Sequence, residues 1–207
     1  MNPIHSVMAV CMPGDEINPE RVAVHFVLQK GWHIYWENPG DTGMSTTLEG
    51  VEETFYPTPQ SIPLPNNLTS YGYEGEVVLF GTKPTSTIEV RWLACTQDTC
   101  IPGKQSLFLQ EIDSTEYMEL WKKIPQKCTY AVHTSLNDSE IHIPQAQKGW
   151  VVPFSESVLD IRRLEIKEDT VRISWESLTS TKRLLWVQQE ESCILSVHPQ
   201  NPHLEQP

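Results

Sequence analysis

The feature that most constrains the fold of this chain is a repeated alternation of apolar and polar residues with a period of two. In the run Arg21–Leu28, the side chains that share one face are Val22, Val24, Phe26 and Leu28. Successive side chains of a strand point to opposite faces, so this pattern predicts a strand with one face in a core. The alternation recurs around Ile88 and Val171, with turn signals between the runs. We therefore predict an all-β protein, built as a β-sandwich.

The charge of the chain limits its partners. Its 207 residues contain 15 Lys and Arg against 27 Asp and Glu, a formal net charge of −12 at pH 7. An acidic chain without a basic run repels a phosphate backbone, so no nucleic-acid partner is expected. No apolar stretch approaches the roughly 20 residues needed to cross a bilayer, and the N-terminus shows no signal peptide. We expect a soluble protein that is a piece of something longer.

One segment has helical spacing instead, through Tyr117, Leu120, Trp121 and Ile124. Ser114 is a plausible N-cap for this helix, and Pro125 ends it. A new series of strands follows, around Ile141, Val151, Ile161, Val171, Leu185 and Ile194. We predict a domain boundary near residue 126, with a first domain over residues 1–125 and a second small β-domain, complete or not, over 126–207. The alternative is a single larger sandwich with a helical crossover.

The chain has five cysteines, of which only Cys95 and Cys100 are close in sequence. A bridge between them needs Cα atoms about 5.5 Å apart, whereas five steps of extended strand span roughly 17 Å, so the chain would have to turn back on itself. A loop this short stabilises the fold by only about 2 kcal/mol. The pair therefore fits a redox-active disulfide as well as a local structural bridge. Zinc is not favoured, because no second cysteine pair supplies the remaining ligands.

The acidic turn between the two cysteines bears on their reactivity. Asp98 lies between the sulfurs in sequence, and a nearby carboxylate disfavours thiolate formation. We therefore expect a carrier that exchanges with chosen partners rather than a fast general oxidant.

Three segments, taken together, resemble a known family. They are residues 31–43 (GWHIYWENPGDTG), 71–79 (YGYEGEVVL) and 92–102 (WLACTQDTCIP). Their sequence, order and separation resemble the N-terminal periplasmic domain of the DsbD/ScsB thiol:disulfide interchange proteins, over roughly residues 6 to 125. The resemblance implies an immunoglobulin-like sandwich with a redox pair at one end. In the ScsB-like branch a second immunoglobulin-like domain follows, which agrees with a boundary near residue 126.

The resemblance also implies roles for individual residues. Cys100 would exchange with the partner, and Cys95 would resolve the mixed disulfide. A cap loop that shields the pair in the family matches residues 69–74, with Tyr71 or Tyr73 as the lid. His33 and Tyr35 become candidates for the wall of the active site.

For partners, the resemblance implies a transmembrane electron-donor domain and thioredoxin-like periplasmic proteins. The chain would be a periplasmic domain of an inner-membrane protein, attached to the membrane only through segments missing here. No metal or organic cofactor is expected, since the disulfide itself carries two electrons. The alternative function is a non-catalytic immunoglobulin-like binding module with a structural disulfide. A copper-handling module is a second alternative, although no compact Met, His and Cys cluster is visible.

The other three cysteines are Cys11, Cys128 and Cys193. Cys128 and Cys193 are placed so that they would bridge the first and last strands of the second domain. They are also compatible with buried free thiols that act as small hydrophobic side chains. We expect the buried, free form.

Overall fold

A computed structural model of the chain describes residues 2–14, 19–130, 132–134, 138–154, 161–176, 178, 180–188 and 191–198. The chain divides into two compact units, Met1–Ile124 and Pro125–Pro207. Both are built mainly of strands, so the all-β prediction is confirmed. In the part of the chain that is described, no helix is long and apolar enough to span a membrane.

The described part of the first unit contains ten strands and one α-helix. The strands are β1 (Ile4–Met12), β2 (Arg21–Leu28), β3 (His33–Gly40), β4 (Thr47–Glu49), β5 (Glu53–Phe55), β6 (Gln60–Leu64), β7 (Leu68–Glu74), β8 (Glu76–Thr82), β9 (Thr87–Cys95) and β10 (Cys100–Gln110). A 3-10 turn over Pro65–Asn67 precedes β7, and helix α1 spans Thr115–Trp121. The alternating run Arg21–Leu28 is strand β2, as predicted.

The ten strands form two halves of a sandwich. One half has the order β5-β8-β2-β1, and the other has the order β10-β9-β3-β7-β6, with β4 beside β9. The halves join where β1 and β10 pair in parallel, at Ala9 with Leu109 and Val10 with Gln110. Phe26 of β2 meets the Trp92 ring of β9 edge-on, with ring centroids 5.9 Å apart. The apolar faces of the two halves therefore pack against each other.

Helix α1 covers the outer face of the first half. Its Tyr117 packs in a cluster with Val10, Phe80 and Ile124, and Trp121 lies against the same cluster. The helix begins beside Ser114 as predicted, but the Ser114 side chain makes no capping hydrogen bond.

The cap is supplied one residue earlier, at Asp113. Its Oδ1 accepts hydrogen bonds from the Thr115 backbone N–H at 2.9 Å and from the Thr115 hydroxyl at 2.6 Å. These bonds lower the pKa of Asp113, because they stabilise the charged carboxylate. The carboxylate therefore satisfies a helix N–H that Ser114 leaves free.

The residues of the second unit that the structure describes form eight strands in two sheets. They are β11 (Gln126–Lys127), β12 (Val132–Thr134), β13 (Asp138–His142), β14 (Gly149–Pro153), β15 (Ile161–Lys167), β16 (Thr170–Trp175), β17 (Lys182–Gln188) and β18 (Glu191–Val197). The sheet orders are β11-β18-β17-β14 and β12-β13-β16-β15, and a 3-10 turn over Ala146–Lys148 precedes β14. Buried residues of both sheets share one core cluster, which includes Ile141, Val171, Trp175, Trp186 and Val197.

Cys128 and Cys193 form a disulfide, with Cα atoms 5.0 Å apart. The expectation that both are free thiols was therefore wrong. Strand β11 pairs in parallel with β18, and the Cys128 backbone N–H donates to the Ile194 carbonyl at 2.8 Å. This pairing brings together two cysteines that are 65 residues apart in sequence. Both side chains are half-buried and pack against the core of the unit.

Candidate redox site

A β-hairpin brings Cys95 and Cys100 together. Cys95 is the last residue of β9, Cys100 is the first of β10, and the two occupy paired positions. They form a disulfide with Cα atoms 4.1 Å apart. The predicted turn lies between them and is held by Thr96, whose hydroxyl accepts hydrogen bonds from the backbone N–H groups of Asp98 at 3.2 Å and Thr99 at 3.1 Å. The local sequence thus closes the turn without help from the bridge.

The hydrogen-bond pattern of the hairpin fixes how the pair sits. The Thr96 backbone N–H donates to the Thr99 carbonyl at 2.8 Å, so Thr96 and Thr99 form a hydrogen-bonded pair. Antiparallel pairs alternate, so Cys95 and Cys100 are a non-hydrogen-bonded pair, the kind whose Cα atoms approach most closely. The main-chain N–H and C=O of Cys100 therefore point away from β9.

The two cysteine residues differ in exposure. The Cys95 residue is 1% exposed, whereas Cys100 is exposed to solvent. A thiolate from another protein can thus reach the Cys100 sulfur more easily than the Cys95 sulfur. Attack at Cys100 would leave Cys95 as the departing thiolate, still held inside the protein.

His33 lies beside the buried sulfur. Strand β3 pairs with β9 so that His33 is opposite Cys95, and with β7 so that His33 is opposite Glu74. Side chains at paired positions project from the same face and lie close together. His33 is 4% exposed, and burial lowers its pKa while Glu74 acts in the opposite direction. The imidazole is therefore held in its neutral form near pH 7.

Tyr35 extends this wall by two residues along the same face of β3. The His33 Nε2 and the Tyr35 hydroxyl are 3.2 Å apart, and the two rings meet edge-on with centroids 5.1 Å apart. Burial raises the pKa of the Tyr35 hydroxyl, which therefore stays protonated. The two residues that we expected in the active-site wall are thus joined to each other, and His33 also neighbours Cys95.

The segment after β3 covers Tyr35. Ser45 forms an isolated parallel β-bridge with Tyr35. Gly43 lies so close to the Tyr35 ring that a Cβ added at residue 43 would overlap it. Gly43 also has a φ of +111°, which L side chains rarely adopt. The sequence signal for this cover was the glycine at the end of the motif in residues 31–43.

The predicted cap loop is a strand. Residues 69–74 belong to β7, which pairs with β3 on one side and β6 on the other. Tyr73 is opposite Ile34, so it projects from the face opposite to His33 and Cys95, and Tyr71 shares that face because strand side chains alternate. Tyr73 is buried, and its hydroxyl donates to the Pro57 carbonyl at 2.7 Å. The stretch is therefore a strand rather than a loop, and the register places both tyrosines on the face opposite to His33.

A group of charged side chains lies on the same face of β9 and β10, beyond the disulfide. Glu89 accepts from Arg91 at 2.7 Å and from Lys104 at 2.7 Å, and Arg91 also contacts Glu49 at 3.2 Å. The hydrogen bonds from Lys104 and Arg91 lower the pKa of Glu89 to about 2. These groups stay ionised at neutral pH.

Cys11, the free cysteine of the first unit, has an unreactive thiol. Burial and the neighbouring carboxyl of Glu20, 3.1 Å from the Cys11 Sγ, raise the pKa of Cys11 to about 11. Its thiol is therefore protonated at neutral pH and a poor nucleophile. Among the residues that the structure describes, no group of three or more His, Cys, Asp and Glu side chains is arranged to hold a metal ion.

Comparison with known proteins shows which family the chain resembles. A family model described as "Thiol:disulfide interchange protein DsbD, N-terminal" matches residues 7–112. The crystal structure of the N-terminal periplasmic domain of ScsB from Proteus mirabilis is similar with a TM-score of 0.65 and 14% identity, covering 97% of this chain and 100% of that one. At this identity the likeness shows the fold alone, and it extends over both compact units.

Two further comparisons add no argument. A structure of InvD from Yersinia pseudotuberculosis matches at 12% identity, covering 97% of this chain and 60% of that one, but its TM-score of 0.22 is too low to show a shared fold. No curated protein sequence matches the chain.

Proposed function

The chain belongs to the family of the N-terminal domain of the thiol:disulfide interchange protein DsbD, and from this premise we propose that Cys95 and Cys100 relay electrons as a protein-disulfide reductase. The donor is a membrane-embedded domain, and the acceptors are thioredoxin-like periplasmic proteins. Residues 1–125 form the redox domain and residues 126–207 a second β-domain. The observation that carries the proposal is the hairpin disulfide between a buried residue, Cys95, and an exposed residue, Cys100.

In the first half-reaction a dithiol donor reduces the domain. A donor thiolate attacks the Cys100 Sγ, the Cys95–Cys100 bond breaks, and its electron pair leaves on the Cys95 sulfur, which takes up a proton. The second donor thiolate then attacks the donor sulfur of the mixed disulfide and releases the Cys100 sulfur, which takes up the second proton. The donor leaves as a disulfide, and the domain has gained two electrons and two protons.

The second half-reaction is the reverse sequence on an acceptor disulfide. Cys100 loses its proton and attacks the acceptor disulfide, and one acceptor sulfur leaves with an electron pair and takes up a proton. Cys95 then loses its proton and attacks the Cys100 Sγ, which reforms the original bond and expels the second acceptor sulfur, and that sulfur takes up the second proton. Cys95 acts only on the sulfur next to it, which suits its burial.

His33 and Tyr35 form the wall beside the resolving cysteine. Neutral His33, opposite Cys95, and protonated Tyr35 place no formal charge beside the Cys95 thiolate as it departs. The covering segment at Gly43 keeps this wall in place. These groups position the buried sulfur, and the bond changes occur at the two cysteines.

Mixed-disulfide trapping tests the proposal, using a Cys11→Ser background so that the hairpin supplies every free thiol. Cys95→Ser keeps the exposed sulfur and should accumulate a covalent complex with an oxidised thioredoxin-like protein. Cys100→Ser is the matched control, which keeps only the buried sulfur and should accumulate none. The proposal predicts rapid two-electron exchange for the protein with both cysteines. If that protein does not exchange, the disulfide is structural and the chain is a binding module. If Cys100→Ser traps the partner as well as Cys95→Ser does, the assigned roles are wrong.

A further inference from the structure

One edge of strand β10 is open beside the exposed cysteine. β9 pairs with β10 from Cys100 to Phe108, whereas β1 pairs with it only at Leu109 and Gln110. Among the residues that the structure describes, no strand pairs with Cys100–Phe108 on the side away from β9. This segment therefore presents main-chain groups at a sheet edge, where an added strand can bind them.

The hairpin pattern identifies which main-chain groups face the open side. Because Cys100 belongs to a non-hydrogen-bonded pair, every second residue after it also directs its N–H and C=O away from β9. Pro102 fits this assignment, since it has no N–H to contribute to the β9 ladder. The next two such positions are Lys104 and Ser106, both exposed. The open edge thus offers N–H donors at Lys104 and Ser106, and carbonyl acceptors from Cys100 onward.

The chemistry of exchange directs a partner to this edge. A thiolate attacks a disulfide sulfur in line with the bond that breaks, because it enters the antibonding orbital of that bond. The Cys95–Cys100 bond joins two adjacent strands, so the line from Cys95 through the Cys100 Sγ continues over the open side of β10. The attacking sulfur therefore arrives on the side that lacks a neighbouring strand.

The distances of a mixed disulfide match those of strand pairing. Cysteines joined by a disulfide have Cα atoms about 4.4 to 6.8 Å apart. Residues at paired positions of neighbouring antiparallel strands have Cα atoms about 4.5 to 5.5 Å apart. A partner cysteine bonded to Cys100 from the open side therefore sits where a residue of an added strand would sit, as Cys95 does on the other side with a Cα distance of 4.1 Å.

We propose that the open edge of β10, from Cys100 to Ser106, binds an extended segment of the thioredoxin-like partner as an added β-strand during exchange. The segment lies beside the partner's reactive cysteine in space, because the mixed disulfide holds that region of the partner against Cys100. Pro102 and Lys104 are residue types that discourage indiscriminate edge pairing, so the covalent bond at Cys100 selects the occupant. This inference rests on the proposed function.

Removing one outward N–H tests the edge. Lys104→Pro deletes a donor that faces the open side and leaves the β9 ladder intact, and Lys104→Ala is its control because it loses the same ion pair with Glu89 but keeps the N–H. Ser106→Pro with Ser106→Ala repeats the design two residues further from the disulfide. Each variant is measured in the full chain for its second-order rate of reduction by reduced thioredoxin and by dithiothreitol, a small dithiol that needs no docking.

We expect each proline variant to react with thioredoxin at least tenfold more slowly than its alanine control, with dithiothreitol rates within twofold. Equal thioredoxin rates in the proline and alanine variants would overturn the proposal. So would slower dithiothreitol reduction in both proline variants, since the edge would then only hold the disulfide in place. A concentration-dependent dimer that Lys104→Pro dissociates would assign the edge to a second copy of the chain instead. Failure of the proposed function would give a different result, because the Cys95–Cys100 disulfide of the wild-type protein would then stay oxidised in the presence of reduced thioredoxin.

Discussion

The two disulfides of this chain differ in the sequence separation of their cysteines and in how exposed those residues are to solvent. Cys95–Cys100 closes a separation of five residues, and Cys128–Cys193 closes one of 65. In the chain-entropy model the first contributes about 2 kcal/mol to folding and the second about 4 kcal/mol. The Cys95–Cys100 disulfide, which stabilises less, includes an exposed residue. Both cysteines of the Cys128–Cys193 disulfide are half-buried and pack against a core. A disulfide that stabilises little is one that the protein can open repeatedly without unfolding.

The largest expected effect separates the two bridges by stability. Cys128→Ser with Cys193→Ser should lower the free energy of unfolding of the second unit by about 4 kcal/mol and leave exchange with thioredoxin unchanged. Urea unfolding followed by tryptophan fluorescence measures the first quantity, since Trp175 and Trp186 lie in that core. Cys95→Ser with Cys100→Ser is the counterpart, with a loss of about 2 kcal/mol in the first unit and no exchange. Loss of exchange in the Cys128 and Cys193 variant would remove the distinction.

The next effect concerns how the redox site is held. Gly43→Ala places a Cβ against the Tyr35 ring at a positive φ and should destabilise the first unit by about 2 to 4 kcal/mol. Gly75→Ala is the control, because Gly75 also has a positive φ, of +73°, but an added Cβ there meets nothing within 4 Å. It should cost only about 1 kcal/mol. Thermal unfolding of both variants compares them, and equal losses would mean that the cover over Tyr35 contributes nothing.

The smallest effect is a pH dependence that only the redox site should show. Burial lowers the pKa of His33 below its usual value near 6.5, so the unfolded chain binds a proton more readily than the folded one. The stability from neutral His33 is present above pH 6.5 and is lost as the pH falls from there through the folded pKa. Each unit of difference corresponds to about 1.4 kcal/mol. Urea unfolding between pH 8 and pH 5 should show this loss, and His33→Gln should reduce it. An unchanged slope in His33→Gln would assign the loss to other groups.

Local patterns in the sequence predicted the parts of the molecule that local interactions determine. The alternation in Arg21–Leu28 predicted a strand, and the turn between Cys95 and Cys100 predicted that the hairpin would bring them together. The resemblance carried by three motifs predicted the family, which the match over residues 7–112 confirms. These features depend on neighbouring residues or on a characteristic combination of short motifs.

The parts that sequence reasoning missed depend on distant partners. Cys128 and Cys193 pair because β11 lies beside β18, and no local signal reports which strands are neighbours. The cover over Tyr35 requires Gly43 to meet it across a turn. Tyr73 was expected over the redox pair, but its side chain is buried. The sequence does not fix the register of this strand, and a shift of one residue moves a side chain to the other face of the sheet.

The claim that Cys95–Cys100 is redox-active and Cys128–Cys193 is structural can be tested directly by the equilibrium reduction potential of each disulfide. Each potential is measured in a variant that retains only that disulfide. We expect the potential of Cys95–Cys100 to lie between those of thioredoxin and protein disulfide isomerase, roughly −270 to −180 mV. We expect the potential of Cys128–Cys193 to lie below about −300 mV, as for structural disulfides. A potential far below −300 mV for Cys95–Cys100 would contradict its redox role, because a thioredoxin-like protein could not then exchange electrons with the pair.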